Sequence, residues 1–562
     1  MVYLTKKDIE RNEKMSTQIK ILSSLEKCFT DEDLAQKTKL EKASCLRGED
    51  FHFTLAYTAQ DMSAWRLCEY GTLMCKSQLA VSFERIEHVP VRMPCYPERN
   101  DENYLRKKAG LYPDLLIPIG AGETVQCSTL LLSIYGTVKV PESTAAGEYT
   151  ITVGLCMENG ENITESFTLR VIDAVLPEQE TSVAQWVHYD CIASAHGLEI
   201  FSEAHWLAIE SYLKTAVEHG INTILTPVFT PPLDTAVGGE RPTVQLVDVT
   251  KNGQSYTFGF EKFRRFVTLC EKLGAKKFEI SHLFTQWGAY HAPKVMANVG
   301  GEYTKIFGWE TDAAGEEYVA FLRAFLSALL EEAKALGIDK KLIFHISDEP
   351  NIKHLEQYKL VKSKIFDILA GYPVYDALSD FDFYEKGIVA NPIPATDHIE
   401  PFLAANVENL WAYYCCGQWK DVSNRFIDMS LARTRVIGTQ LWKYNIAGFL
   451  HWGYNFYYTQ YSKREISPYV ITDGDGFAPA GDAFSVYPAP GGKPYRSLRL
   501  VAFHEALCDT RALSLCEKLC GKEAVLAVLE SEGEVTFSSY PRTAEFLLST
   551  REKINEMIEK NA

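Results

Sequence analysis

The string LIFHISDEP, residues 342 to 350, is an apolar run that ends in two adjacent carboxylates, Asp348 and Glu349, followed at once by Pro350. A short apolar run bounded in this way reads as a buried strand, and the proline marks where it becomes loop. Neighbours along an extended chain point in different directions. Asp348 and Glu349 would therefore reach a bound molecule from different sides, which suits unequal roles: one carboxylic acid to protonate a leaving oxygen, one carboxylate to stabilise developing positive charge. The same pair would also serve as a helix cap at Asp348 and a solvated rim residue at Glu349.

Aromatic residues crowd two later segments. Trp411, Tyr413 and Tyr414 lie in NLWAYYCCGQW, and Trp452, Tyr454, Phe456, Tyr457 and Tyr458 lie with Asn455 in HWGYNFYY. Aromatic faces stack on the C–H faces of sugar rings, while Tyr hydroxyls and Asn amides supply directional bonds to hydroxyl or acetamido groups. Trp411, Tyr413, Tyr414, Trp452, Tyr454 and Asn455 are thus candidate pocket residues, some of which must be core instead. A retaining glycosidase with its own nucleophile needs a second carboxylate about 5 Å from the acid. The NLWAYYCCGQ strand offers none at its C-terminal end, which leaves Asp190, Asp376 and Asp380. A mechanism that uses the substrate's own 2-acetamido oxygen as nucleophile needs only the adjacent pair.

No metal or cofactor is expected. His188 with Asp190, and the DGDG run at 473 to 476, come nearest to ligand clusters, and the run lacks the third acidic position and the closing Glu of a calcium loop. The fourteen cysteines show no paired C-x-x-C spacing and read as buried free thiols, the vicinal Cys415 and Cys416 included. Asn162-Ile163-Thr164 matches a glycosylation sequon and reads as part of a strand approach.

The elements that must position these residues follow from composition and pattern. A net charge of −17 over 562 residues argues against nucleic acid and against an anionic membrane as partner. With 46% hydrophobic and 23% charged residues the chain is of the globular, soluble class. MVYLTKKDIERNEK contains no apolar segment of the secretory type, and no later stretch approaches 18 uninterrupted apolar residues, so a cytoplasmic location is expected. Up to residue 178 the pattern has a period of two: Tyr149, Ile151, Val153 and Leu155 alternate, the turn MENGEN follows, and Phe167, Leu169 and Val171 alternate again. Similar runs at FHFTLAYTA, LAVSFERI and STLLLSIYGTVKV make the first third an antiparallel sandwich preceded by a short amphipathic or irregular arm.

After Pro177 strands alternate with helices that end in glycine, at Gly220, Gly274, Gly337 and Gly371. With an opening strand at about 183 to 193 and others near GIVANPI, NLWAYYCCG and IAGFLHWGYNFYY, eight strands emerge, which favours a closed (β/α)8 barrel of the α/β class over an open sheet. The connections after the second and third strands, 230 to 259 and 286 to 314, are long, as befits a site at the C-terminal ends of the strands. The expected division is a sandwich at 1–178, a barrel at 179–512 and a small helical appendage at 513–562.

The succession of ISDEP, LWAYYCCGQ, NRFIDMSLARTRVIGTQLWKYNIAGFLHWGYN and FSVYPAPGGKPYRSLRL resembles the catalytic domain of glycoside hydrolase family 123, the bacterial β-N-acetylgalactosaminidases and their relatives. AGLYPDLLIPI with VKVPESTAAGEYTITV resembles that family's N-terminal β-sandwich, while HEALCD at 504 to 509 departs from the Arg-x-Gly type of run more frequent there. The resemblance implies a (β/α)8 barrel that cleaves a terminal β-linked N-acetylgalactosamine from a glycan, with retention, through an oxazoline-type intermediate. By position it implies Glu349 as general acid/base and Asp348 as the carboxylate that orients the acetamido group; Trp411, Tyr413 and Trp452 fall on segments that resemble the sugar-binding wall. Two other readings stay open: a β-N-acetylhexosaminidase indifferent to gluco or galacto configuration, and a carbohydrate-binding barrel without catalysis.

Overall fold

The computed structural model describes residues 16–60 and 68–562. The arm expected ahead of the first strand lies outside them. Ten strands build the N-terminal region: β1 (Ser16–Ser23), β2 (Lys42–Arg47), β3 (Phe51–Gln60), β4 (Glu69–Lys76), β5 (Val81–Val91), β6 (Gly110–Ile119), β7 (Thr124–Cys127), β8 (Leu132–Val138), β9 (Gly147–Met157) and β10 (Asn162–Val175). They form two sheets in the orders β1-β3-β8-β5-β6 and β2-β10-β9-β4-β7. Ile151, Val153 and Leu155 alternate inward on β9, and Phe167, Leu169 and Val171 on β10, to meet Phe53, Leu55 and Ile134 of the facing sheet. The sandwich is not purely antiparallel: β2 runs parallel to β10.

The rest of the chain is built on parallel strands. Within it lie β11 (Ser182–Gln185), β12 (Thr223–Thr226), the hairpin β13 (Asp248–Asn252) and β14 (Ser255–Gly259), β15 (Lys277–Ile280), and the hairpin β16 (Val295–Val299) and β17 (Glu302–Phe307). Then come β18 (Leu342–Ile343), β19 (Tyr375–Ala377), β20 (Asn391–Ile393), β21 (Trp411–Tyr413) and β22 (Gly448–His451). A six-stranded sheet has the order β18-β15-β12-β11-β22-β21, and β19 pairs with β20, every pair parallel. Single parallel bridges, Phe344 to Val374 and Ala395 to Tyr413, join the two sheets at either side. The strands alternate: Val183, Ile224, Phe278 and Phe449 face the surrounding helices, whereas Trp186, Leu225, Ile343, Trp411 and Leu450 pack against one another inside. Gly448 has no side chain because the Trp411 indole occupies that space; a Cβ there would lie 2.2 Å from the ring.

The opening strand is shorter than its apolar run, and Tyr189–His196 is a helix. Tyr189 to Ala193 are all buried, and a segment buried all round carries no period by which helix and strand differ. The long connections are themselves structured, since the hairpins β13/β14 and β16/β17 combine into one four-stranded sheet beside the strand ends. No described helix is long and apolar enough to cross a membrane.

Arginines buried with carboxylates weld the regions together. Arg499, at the start of the Leu498–Cys520 helix, grips Asp114 of β6 through two bonds of 2.8 and 2.9 Å, both side chains fully buried, and Tyr487 donates to the same carboxylate at 2.6 Å. The helix runs straight through residue 512, where the appendage was expected to begin. The last helix, Ala544–Asn561, lies against β2 and β10 of the sandwich. Its Arg551 binds Glu49 of the sandwich and Asp509 of the Leu498–Cys520 helix, and Asp509 also binds Arg435. Asp509 of HEALCD is thus paired within the fold, and Glu505 of the same run lies 3.3 Å from Arg435.

Taking away one partner of a buried pair leaves the other charge without water or counter-ion. Asp114→Ala should therefore destabilise the protein by about 3–5 kcal/mol, whereas Glu332→Ala, which breaks the surface pair with Arg264, should leave the melting temperature nearly unchanged. Equal, small shifts for both in thermal denaturation would show that Arg499 does not depend on Asp114.

Candidate active site

A pocket of about 800 Å³, including its open mouth, lies at the C-terminal ends of the parallel strands. Its floor is Trp186, Leu450 and Ala377, and Asp348 and Glu349 enter it from the end of β18. Asp234, Gln286, Trp287 and Tyr461 form one wall; Tyr413, Cys415, Cys416, Trp452 and Phe477 form the other.

The chain between β18 and the pocket is held by bonds that replace a regular ladder. The Asp376 carboxylate accepts the Ile346 and Ser347 N–H groups at 2.9 and 3.1 Å and the Tyr358 hydroxyl as well. The Trp287 N–H donates to the Asp348 carbonyl at 2.9 Å, and the Glu349 N–H to the Ala377 carbonyl at 3.0 Å. Glu349 has φ +44°, in the left-handed region, as do Asp234, Trp287 and Tyr461 of the same pocket. Non-glycine residues held there cost about 1–3 kcal/mol each and persist only where surrounding contacts over-determine them.

The two carboxylates have different surroundings. Glu349 is ringed by protein yet open to the pocket, and the Tyr413 hydroxyl donates to it at 2.8 Å. The Asp348 carboxylate accepts no hydrogen bond from a described residue, which leaves its oxygens for a donor carried in by a ligand. Burial raises Asp348 well above the usual carboxylate range; the like charges of Glu349, Asp376 and Asp234 add to this and the His345 imidazolium opposes it. Glu349 is raised by burial and by Asp482, against the Tyr413 bond, which lowers it. Below them lies His345. Burial alone would depress it, but the Asp376 carboxylate 3.8 Å from Nδ1 and the hydrogen-bonded Glu279 2.6 Å from Nε2 carry it to about 10, so it is an imidazolium at neutral pH. Asp234 is pushed up by burial to about 6, although the Tyr461 N–H and the Arg241 charge oppose the rise.

Of the residues singled out in the sequence, Asp348, Glu349, Tyr413 and Trp452 meet in this pocket. Trp411, Tyr414, Tyr454 and Asn455 do not line it. Trp411 points inward from the start of β21, two residues short of Tyr413, and packs on Tyr375 with ring centroids 4.9 Å apart. Tyr414 falls on the opposite face by the alternation of the strand and packs edge-on to Phe449. Tyr454 donates to the Tyr212 carbonyl beneath the Glu203–Glu218 helix. Asn455 clasps the backbone N–H and carbonyl of His188, tying the β11 and β22 connections together.

The other carboxylates weighed as nucleophiles are engaged elsewhere. Asp190 is held by Arg241 at 2.7 and 2.9 Å, with the Arg241 guanidinium also 3.1 Å from His188 Nδ1. Asp376 supports the strand end, and Asp380 accepts the Ile352 N–H at 2.7 Å. Asp473 and Asp475 of the DGDG run are bound by Arg92 of the sandwich region. Cys415 and Cys416 are half-buried in the pocket wall, past the end of β21 and outside the strand core in which they were expected.

Asp234, Gln286, Trp287, Tyr461 and Phe477 were not found from sequence. The only signal was the length of the connections that carry the first three, since no spacing relates loop residues that meet across a pocket.

A model of a protein family, glycoside hydrolase 123, catalytic domain, matches residues 186–516. Among solved structures, a family 123 glycoside hydrolase from Clostridium perfringens, studied for glycolipid glycan hydrolysis, aligns over 97% of this chain and 98% of its own, with 15% identity and a TM-score of 0.73. A putative glycoside hydrolase from Bacteroides vulgatus ATCC 8482 aligns over 76% of each chain at 9% identity with a TM-score of only 0.30. No curated protein matches.

The raised Asp348 has a consequence for stability. A carboxyl whose folded pKa exceeds its unfolded value of about 4 favours the folded state below that value, and the advantage is lost as pH rises through the folded pKa. Asp348→Asn cannot ionise. The variant should melt above the parent at pH 7 to 8, with the difference shrinking to nothing near pH 4. A variant that melts lower than the parent across this range would mean that the ionised carboxylate is stabilised by the fold.

Proposed function

Because the chain belongs to glycoside hydrolase family 123 and is thus a glycosidase, we propose that it releases terminal β-linked N-acetylgalactosamine from a glycan, with retention, using the substrate's 2-acetamido oxygen as nucleophile. One observation carries this reading: two adjacent carboxylates share a pocket, one bonded by a tyrosine and open to solvent, the other free of protein donors. The architecture that goes with it is a β-sandwich at 1–178, a (β/α)8 barrel at 179–512 and a C-terminal helical segment at 513–562. Consecutive pairing of the eight parallel strands, with β22 returning to β11, supports the barrel.

In this reading Asp348 accepts the acetamido N–H and so aims the carbonyl oxygen at the anomeric carbon. The oxygen attacks, the glycosidic bond breaks, and Glu349 gives its proton to the departing oxygen. A water activated by Glu349 then opens the oxazoline ring from the face the aglycone left, which restores the original configuration. The pair shares protons, and burial with mutual repulsion keeps it from losing both easily. An N–H donor at Asp348 favours its anion, and the remaining proton then belongs to Glu349, where the leaving group needs it.

Three measurements test this. Glu349→Gln should lower kcat steeply on substrates with poor leaving groups and much less on activated aryl glycosides, which need little protonation. Asp348→Asn should cut kcat by roughly 10²- to 10³-fold, the scale of losing one preorganised electrostatic partner. A glycoside with a 2-hydroxyl in place of the 2-acetamido group should be almost inert. Rapid turnover of that glycoside, or a sugar trapped covalently on a protein carboxylate, would overturn the acetamido mechanism.

A further inference from the structure

The pocket holds a third open carboxylate, which the mechanism above leaves without a task. Asp234 lies in the connection after β12, with φ +42°. Three bonds hold it there: its N–H donates to Gln286 Oε1 at 2.6 Å, its carbonyl accepts the Ser462 hydroxyl at 2.7 Å, and its Oδ2 accepts the Tyr461 N–H at 3.1 Å. Connections after three different strands thus converge to fix one side chain. Its Oδ1 accepts nothing from a described residue, and the residue lines the pocket. An aromatic pair frames it, Trp287 edge-on to Tyr461 at 5.7 Å.

The order of groups round the pocket says what Asp234 would meet. Glu349 lies toward Tyr413 on one wall. Asp348 follows, its carbonyl bonded by the N–H of Trp287, whose neighbour Gln286 holds Asp234, so that the connections after β18, β15 and β12 stand side by side in that order. On the proposed mechanism Glu349 serves the oxygen on C1 and Asp348 the nitrogen on C2. The next substituents round the ring in the same direction are the hydroxyls on C3 and C4. A fixed carboxylate with a free oxygen is a strong acceptor for hydroxyl protons, and a site built to bond a hydroxyl discriminates sharply against an analogue that lacks it. We propose that Asp234 is the specificity-determining residue of the sugar subsite, accepting the C3 or C4 hydroxyl of the residue to be released. The inference rests on the acetamido reading for the placement of C1 and C2.

Asp234 is not placed as an enzyme nucleophile. Such a group must face C1 across from the acid, whereas Asp234 is separated from Glu349 by the connection after β15, whose Trp287 is bonded to the Asp348 carbonyl.

The test is a cycle between residue and substrate hydroxyl. The parent, Asp234→Asn and Asp234→Ala are assayed on 4-nitrophenyl β-N-acetylgalactosaminide and on its 3-deoxy, 4-deoxy and 6-deoxy analogues. Circular dichroism and melting curves confirm folding; Asn keeps an acceptor for the Tyr461 N–H and tolerates the left-handed backbone. Asp234→Ala should lower kcat/KM on the intact sugar by about 10- to 100-fold. The parent should lose a similar factor on the 3-deoxy or 4-deoxy sugar, and the Ala variant should lose little more on that same analogue. The 6-deoxy loss should be equal in parent and variant. Equal losses in parent and variants for all three analogues would sink the assignment while leaving the acetamido mechanism intact. Rescue of Asp234→Ala by azide, with an inverted glycosyl azide as product, would make Asp234 a nucleophile and overturn both readings. A parent inert toward every β-N-acetylhexosaminide fails at the premise, which the assay on the intact sugar reveals first.

Discussion

Three charges without access to water lie under the pocket: the His345 imidazolium between the Glu279 and Asp376 carboxylates. His345 is 2.6 Å from Glu279, whose same oxygen accepts the Trp186 indole N–H at 2.9 Å. The other ring face of His345 stacks on His282 at 4.7 Å. Asp376, so balanced, is free to accept the backbone N–H groups of Ile346 and Ser347, and this is why β18 is regular for only two residues before its chain turns to present Asp348 and Glu349. A regular ladder would carry the strand on in its pleat and set successive side chains inside and outside. A side-chain acceptor instead lets both carboxylates reach one pocket.

The same array sets the electrostatics above it. One imidazolium answers two carboxylates below, and three more, Asp234, Asp348 and Glu349, open into the pocket with Asp482 buried behind them. Negative charge is in excess, so burial raises Asp234, Asp348 and Glu349, and like charges add to the rise at Asp348 and Glu349. That is costly to folding and useful to an acid catalyst, because a carboxyl at its ordinary value would be ionised and unable to donate. The strained backbone at Asp234, Trp287, Glu349 and Tyr461 is a second cost in the same place. Stability is recovered at a distance, in the large helix-covered core.

What was legible from sequence follows the physics of each element. The alternation of Ile151, Val153 and Leu155 reports a sheet with one buried face, and the strand with its hairpin partner is where the pattern puts it. The Asp348-Glu349 pair is readable because an apolar strand, two charges and a proline leave few other structures. Trp411 was not readable as core, nor Tyr414 as packing against helices, since every second residue of a strand buried on both faces is apolar whichever way it points. Tyr189 to Ala193 looked like strand for the same reason. The wall of Asp234, Gln286, Trp287 and Tyr461 was beyond reach because its residues are up to 227 positions apart, as from Asp234 to Tyr461, and meet only through the fold.

That distance in sequence explains the place of the N-terminal region. The DGDG run is not free to move: Arg92 binds Asp473 at 3.0 Å and Asp475 at 2.9 Å, and Arg464 binds Asp475 at 2.6 Å. Two residues beyond Asp475 comes Phe477, which lines the pocket and meets Trp452 edge-on at 6.1 Å. Tyr96, from the same connection of the sandwich as Arg92, comes up beside Cys416 and Asp482, and Asp482 accepts the Trp452 indole N–H at 2.9 Å. One wall of the pocket is therefore positioned from outside the parallel-strand domain. Cutting the sandwich away would remove the restraint on Phe477 and the packing beside Cys416, and would leave Arg499 buried without Asp114. On the proposed mechanism the two regions act as one unit, since the strand ends carry Asp348 and Glu349 while the sandwich holds the segment that carries Phe477.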